Sequence, residues 1–245
     1  MKNLFGGLWR VARLCAAICL LAPWVSAADK PCEPAAAKGG ETAKAAPKKA
    51  DADAEGWESI FDGKTMDGWK ISDFAAKGEV KVDPAFRGGA GAIVINMTDE
   101  LNGITLTATN NLPRMNYEIS VEAMKLEGSD FFCGLTFPVG KSAVTLICGG
   151  WGGGVVGISS IDDMDASENE TTKFMNFEKD RWYHIRVRVT PEKIEAWIDK
   201  EQLIDVNIKD RRLGLRPGDI DCSLPFGIAT YQTRTAVRSI KWRRF

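Results

Sequence analysis

Short runs in which apolar and polar residues alternate dominate the chain from residue 56 onward. Residues 117–123 alternate cleanly and place Ile119 and Val121 on one side of a strand, and residues 184–189 show the same period. Other short apolar or alternating runs occupy residues 92–96, 103–107, 131–137, 142–148, 194–199, 225–231 and 237–242. Gly, Asn, Asp and Pro separate them. The pattern predicts an all-β jelly-roll sandwich of two antiparallel sheets.

The start of the chain has a different composition. Residues 1–13 carry Lys2, Arg10 and Arg13 without an acidic residue, and small residues end the apolar run that follows. This order is typical of a secretory signal peptide over residues 1–27. A membrane-spanning helix needs about 20 apolar residues, and this run has about 12. We therefore expect an exported protein, either periplasmic or extracellular.

Residues 28–55 consist mostly of Ala, Lys, Pro, Asp and Glu. Such a segment cannot bury enough apolar surface to offset the entropy of ordering it, so we predict a disordered linker. It either tethers the domain to a cell surface or partner, or is a leader without a role. Residues 56–245 are long enough for one large β-sandwich domain.

Charge and motifs exclude several classes of function. The 32 basic and 33 acidic residues give a net charge of −1, which does not favour nucleic acid as a partner. With one histidine and no Cys-x-x-Cys pair, a zinc site is not expected. The sequence also has no phosphate-binding loop and no nucleophile elbow around a serine.

A resemblance to a known family begins at residue 61. The segment Phe61-Asp62-Gly63-Lys64, followed by Gly68-Trp69, resembles the opening signature of the bacterial 3-keto-disaccharide hydrolase domain. Its Asp-Gly pair predicts a type I′ turn, and we expect Trp57 and Trp69 to be buried where the domain begins. The strand from Trp182 to Val189 and the final strand ending in Trp242 resemble the end of that domain in order and spacing.

This resemblance implies a concanavalin-like sandwich that cleaves a glycosidic bond next to a 3-keto sugar. The ketone would acidify the neighbouring C–H group, so that a base and a group stabilising the enediolate suffice. The alternative is a non-catalytic glycan-binding or cell-surface module that uses the same fold. Residues 131–137 and 142–148 contain no charged side chain, which favours the alternative. Both hypotheses make a carbohydrate or keto-sugar the ligand.

The segment Gly149–Gly154 surrounds a single aromatic residue, Trp151, with glycines. One interpretation is that bare backbone lets a sugar ring stack on Trp151. The other is a buried tryptophan at a bend of a strand.

An acidic segment follows and contains Asp162, Asp163, Asp165, Glu168 and Glu170, with Asn169 between the last two. Three interpretations are compatible with it. It is a solvated loop; or Asp162, Glu168 and Glu170 are catalytic carboxylates with Asn169 binding substrate; or its oxygens bind Ca²⁺.

The only histidine, His184, lies on the outer face of its predicted strand. Arg186 shares this face, and Trp197 lies on the next predicted strand. If the face is concave, we expect His184 to be catalytic and Arg186 and Trp197 to bind sugar. If it is convex, it is an ordinary solvent-exposed surface.

The short turn after residue 137 can place Cys133 opposite Cys148. Facing residues of antiparallel strands lie within disulfide range, so an oxidising compartment would allow a bridge. The alternative is a pair of buried free thiols.

Overall fold

The structure is a computed structural model, and it describes residues 55–245. The predicted signal peptide (1–27) and linker (28–55) lie outside the described residues, apart from Glu55. Two antiparallel sheets pack face to face, which confirms the predicted all-β sandwich. No helix among the described residues is long and apolar enough to cross a membrane.

Within residues 55–245, fifteen strands, numbered in chain order, form the two sheets. The first sheet has the order β13-β12-β11-β6-β15-β4-β3, with β1 also paired to β15. Its strands are β1 (Glu58–Ser59), β3 (Val80–Asp83), β4 (Ala92–Ile95), β6 (Tyr117–Gly128), β11 (Trp182–Val189), β12 (Lys193–Ile198), β13 (Glu201–Asn207) and β15 (Thr233–Arg244).

The second sheet has the order β10-β9-β8-β7-β14-β5-β2. Its strands are β2 (Trp69–Ile71), β5 (Leu101–Leu106), β7 (Cys133–Val139), β8 (Ser142–Gly149), β9 (Val155–Ser159), β10 (Lys173–Phe174) and β14 (Gly227–Tyr231). The described helical segments are short: 3₁₀ turns at Phe86–Gly88 and Asp219–Ser223, and one helical turn at Gly150–Gly153.

The core lies between the sheets and is built from alternate residues of each long strand. Ile119 and Val121 of β6 and Val187 of β11 are fully buried, as are Leu135 of β7 and Leu146 of β8. The residues between them face outward. The period-2 pattern therefore correctly predicted which residues fill the core.

The turn at residues 62–65 differs from the predicted type I′ turn. Gly63 has a positive φ of 75°, but Asp62 does not, and type I′ requires a positive φ at both positions. Instead, Asp62 Oδ1 accepts hydrogen bonds from the backbone N–H groups of Lys64 and Thr65, at 2.7 and 2.8 Å. The aspartate side chain closes the turn.

Cys133 and Cys148 are directly opposite each other in the β7–β8 pair, as the sequence predicts. Both are free cysteines, so the disulfide bridge that the sequence allowed is absent and the alternative of two buried thiols holds. Their side chains occupy the apolar core and are fully buried. Burial raises the pKa of the Cys133 thiol to about 12, and burial together with Cys133 raises the pKa of Cys148 well above its ordinary value. The pair therefore packs as two small apolar residues.

We expect Trp69→Ala to destabilise the domain by about 3 to 5 kcal/mol. Trp69 is only 6% exposed, packs edge-on against Phe226 and donates its indole N–H to the Ile60 carbonyl at 2.7 Å. Urea unfolding measures the change. Trp151→Ala is the matched control, because Trp151 is 43% exposed. If Trp69→Ala unfolded at the same urea midpoint as wild type, Trp69 would not stabilise the core.

Candidate functional site

A cavity of about 380 Å³ opens on the outer face of the second sheet. The sheet contributes outward-facing residues of four strands to its floor, and loops supply its walls. The floor residues are Leu101, Thr145, Ile147, Ser159 and Tyr231. The wall residues are Asp130, Phe131, Trp151, Asp165, Arg216, Pro217, Gly218, Asp219 and Ile220.

Glycines on the strands let these walls approach the sheet closely. A Cβ at Gly157 of β9 would lie 2.5 Å from the Ala166 carbonyl oxygen. A Cβ at Gly134 of β7 would lie 3.0 Å from the Phe131 ring. Because these contacts leave no room for a side chain, the loops rest directly on the backbone of the sheet.

Trp151 projects from the glycine segment at the wall of the cavity and is 43% exposed. Its own backbone is left-handed, with φ 48° and ψ 57°, and Gly149 and Gly152 beside it also have positive φ. The Gly152 N–H donates to Asp130 Oδ2 at 3.1 Å, which holds the glycine segment against the turn between β6 and β7. The exposure rules out the buried tryptophan that the sequence also allowed.

Asp165 and Arg216 form an ion pair beside this ring. Arg216 Nη1 lies 2.9 Å from Asp165 Oδ2, and the Arg216 guanidinium lies 5.8 Å from the centre of the Trp151 ring. Asp165 also accepts hydrogen bonds from the Ser159 hydroxyl and, at 2.7 Å, from the Ala166 N–H. The cavity thus combines an aromatic face, a carboxylate and a guanidinium.

The other residues of the acidic segment do not line the cavity, and three of them, Asp162, Asp163 and Glu170, form ion pairs with Arg211 or Arg212. Arg211 donates to Asp162 Oδ2 and to Glu170 Oε1, both at 2.6 Å. The Arg212 N–H and Arg211 side chain lower the pKa of Asp162, and Arg211 lowers that of Glu170. Glu168 is exposed and also lies outside the cavity lining. The structure therefore does not bring the predicted carboxylates Asp162, Glu168 and Glu170 to the cavity.

Asn169 was predicted to bind substrate, but it is buried and holds its own loop. Its side-chain amide donates to the carbonyls of Ile158, Met164 and Asp165 at 2.8 to 3.1 Å. These bonds use its donors within the protein. Within residues 55–245, no group of three or more His, Cys, Asp and Glu side chains could hold a metal ion.

His184, Arg186 and Trp197 share the outer face of the first sheet, as predicted. His184 Nε2 lies 2.8 Å from the Ser120 hydroxyl, and the Arg186 guanidinium lies 4.0 Å from the centre of the Trp197 ring. The cavity opens on the second sheet, so these three residues face the opposite side of the sandwich. The structure does not bring them together with Trp151.

Several cavity residues have no signal in the sequence. Asp130 lies in the turn between β6 and β7, and Arg216 lies in the loop before the 3₁₀ turn at Asp219–Ser223. The Pro217-Gly218 pair marks a turn, but nothing local shows that this turn covers the second sheet.

The model of the family of 3-keto-alpha-glucoside-1,2-lyase-like domains matches residues 56–243. This chain belongs to that family, which confirms the resemblance found in the sequence. No curated protein sequence matches the chain.

Solved structures share the architecture at low sequence identity. The Crh5 transglycosylase in complex with NAG aligns with a TM-score of 0.51 and 10% identity, over 80% of this chain and 86% of that one. Domain 4 of AbnA, a GH43 extracellular arabinanase from Geobacillus stearothermophilus, aligns with a TM-score of 0.49 and 11% identity, over 77% of this chain and 91% of that one. The carbohydrate-binding module CBM66 from Bacillus subtilis aligns with a TM-score of 0.47 and 11% identity, over 72% of this chain and 95% of that one. At these identities the likeness concerns the fold alone.

We expect Arg211→Ala to lower the urea midpoint at pH 7 and to have little effect in acid. Arg211 helps hold the pKa values of Asp162 and Glu170 below their ordinary range. Such a contribution is fully present above the unfolded-state pKa of about 4 and is lost as the pH falls through the folded-state values.

Urea unfolding between pH 7 and pH 2 measures the difference between Arg211→Ala and wild type. Arg212→Ala is the comparison variant, for which a smaller loss is expected: its guanidinium pairs with the exposed Asp163 and affects Asp162 through its charge, while its backbone N–H bond to Asp162 is retained by alanine. If the urea midpoint of Arg211→Ala stayed below that of wild type by the same amount down to pH 2, the ion pairs of Arg211 would not be the cause of the difference.

Proposed function

We propose that the cavity binds a carbohydrate and that the domain cleaves the glycosidic bond of 3-keto-glycosides. One observation carries the proposal: Trp151 and the Asp165–Arg216 pair line the same cavity. A sugar presents C–H groups on its faces and hydroxyls at its edges, so it suits an aromatic wall with a few polar groups. Membership of the lyase-like family supports the type of reaction.

The proposed chemistry uses the acidity of the C–H group beside the ketone. Asp165 accepts the proton from C2, and the electrons of the C–H bond form an enolate. Arg216 stabilises the negative charge on the ketone oxygen. The enolate then re-forms the ketone, a C1–C2 double bond forms, and the C1–O bond breaks to release the second sugar, which takes up a proton. Addition of water to the unsaturated product would complete a hydrolysis.

A non-catalytic glycan-binding module is the second candidate. It is favoured by the contacts that already engage both oxygens of Asp165: the Ser159 hydroxyl and the Ala166 N–H donate to Oδ1, and Arg216 Nη1 lies 2.9 Å from Oδ2. A glycan-binding module would use this ion pair to hold sugar hydroxyls, without any proton transfer. For either candidate we propose that the protein acts outside the cytoplasm. The signal-peptide-like composition of residues 1–27 supports export.

Turnover of a 3-keto disaccharide by purified protein tests the proposal. We expect Asp165→Asn to lower kcat at least about 100-fold, the usual scale for a positioned acid or base. Trp151→Ala should mainly raise KM, because stacking acts on substrate and transition state alike. His184→Ala is the control and should leave both constants unchanged, because His184 lies on the other sheet.

The result separates the two candidates. Sugar binding without turnover, weakened by Trp151→Ala, would support the glycan-binding module. If His184→Ala lost most of its turnover while Asp165→Asn stayed fully active, the catalytic site would lie on the first sheet. Neither binding nor turnover by wild-type protein would refute both candidates. Thermal unfolding of each variant checks that it is folded.

A further inference from the structure

A second cavity, of about 400 Å³, is lined by two of the chain segments that also line the first, at residues 128–131 and 231–232. It is lined by Met97, Thr98, Asp99, Gly128, Ser129 and Gln232. Two of these residues are direct chain neighbours of residues in the first cavity, because Ser129 precedes Asp130 and Gln232 follows Tyr231. The Gln232 side-chain Nε2 lies 3.4 Å from the Tyr231 hydroxyl. This amide therefore stands at the boundary between the cavities.

The backbone holds Gln232 firmly at this boundary. It is the single residue between β14 and β15 and has a positive φ of 45°. Its carbonyl oxygen accepts the Ser129 N–H at 3.3 Å. A Cβ at Gly128 would lie 2.2 Å from that oxygen, so only glycine allows the two segments to pack this closely. The Gln232 side chain nevertheless remains exposed.

The lining chemistry of the second cavity suits an uncharged ligand with many hydroxyl groups. The Gln232 Nε2 donates to the Asp99 carbonyl at 3.3 Å and the Thr98 hydroxyl to the Glu100 carbonyl at 2.9 Å. The Gln232 amide oxygen, the Thr98 hydroxyl oxygen, the Ser129 hydroxyl and the Asp99 carboxylate can accept hydrogen bonds from ligand hydroxyls. Met97 is 46% exposed and offers an apolar contact. Among these six lining residues none is basic, so the cavity does not select for an anion.

We propose that the second cavity is the subsite for a neutral second sugar unit, and that Gln232 is the residue that senses this unit. The assignment rests on the proposed function of the first cavity, where the keto-sugar stacks on Trp151. A glycosidic bond held between the two subsites would lie beside Tyr231 and Gln232. The ring beyond the bond then contributes affinity only through the second cavity.

Two probes separate the subsites: a 3-keto disaccharide with a neutral second hexose, and methyl 3-keto-glucoside, which has no second ring. We expect Gln232→Ala to lower kcat/KM for the disaccharide about five- to tenfold, the scale of one or two lost hydrogen bonds. The value for the methyl glycoside should change less than about twofold, because its contacts lie in the first cavity. If wild type binds without turnover, the same ratio is measured from Kd.

Gln232→Asn is the second variant, since asparagine tolerates a positive φ while its amide is one methylene shorter. It should show the same selective loss, which a folding defect would not produce. Gln202→Ala, an exposed glutamine of the first sheet, is the matched control and should change neither probe. Equal losses on both probes, or none, would overturn the subsite while leaving the proposed function intact. If wild type handles neither probe, the proposed function fails and the subsite fails with it.

Discussion

The architecture of the candidate site depends on the absence of side chains at chosen positions of one sheet. The outer face of the second sheet carries Gly157 on β9, Gly134 on β7 and Gly227 on β14, and at each an atom of a covering loop or of the 3₁₀ turn would lie only 2.5 to 3.0 Å from a Cβ. Backbone can approach backbone closely only where no side chain intervenes. The covering loops therefore form a third layer over the sheet, and the cavity is the part of the sheet that this layer leaves open.

Charge then fixes the covering layer in place. Arg211 joins Asp162 and Glu170, and Arg216 joins Asp165, so arginines from one loop hold carboxylates of another. Only the last of these pairs lines the cavity. Residues of the same type in one acidic segment thus have different roles, and the roles follow from which carboxylate faces the opening. On the first sheet, His184 is exposed, whereas the neighbouring Arg186 and Trp197 are half-buried and stack on each other beside the buried Glu118.

Most of the fold could be predicted from the sequence because the side chains that enter the core alternate along the long strands. The runs at 117–123 and 184–189 lie within β6 and β11, and the opposition of Cys133 and Cys148 is one of the registers that the short turn allows. The strands β3 and β9 were not predicted, because β3 has only two apolar residues and Gly157 interrupts the apolar run of β9. In the site, Trp151 was recognisable because glycines isolate it. Asp130 and Arg216 were not, because their positions depend on loops packing across distant strands.

The pairing of distant segments also bears on how the domain reaches its native state. Glu58 of β1 and Trp242 of β15 are partners although 184 residues separate them, and β15 also pairs with β6 and β4. Closing such long loops costs chain entropy before any contact compensates for it. Sandwiches dominated by non-local pairing fold in milliseconds to seconds, far more slowly than helical bundles. As long as β15 is undocked, the edges of β4 and β6 that it covers are open to other chains, which exposes the unfolded chain to aggregation.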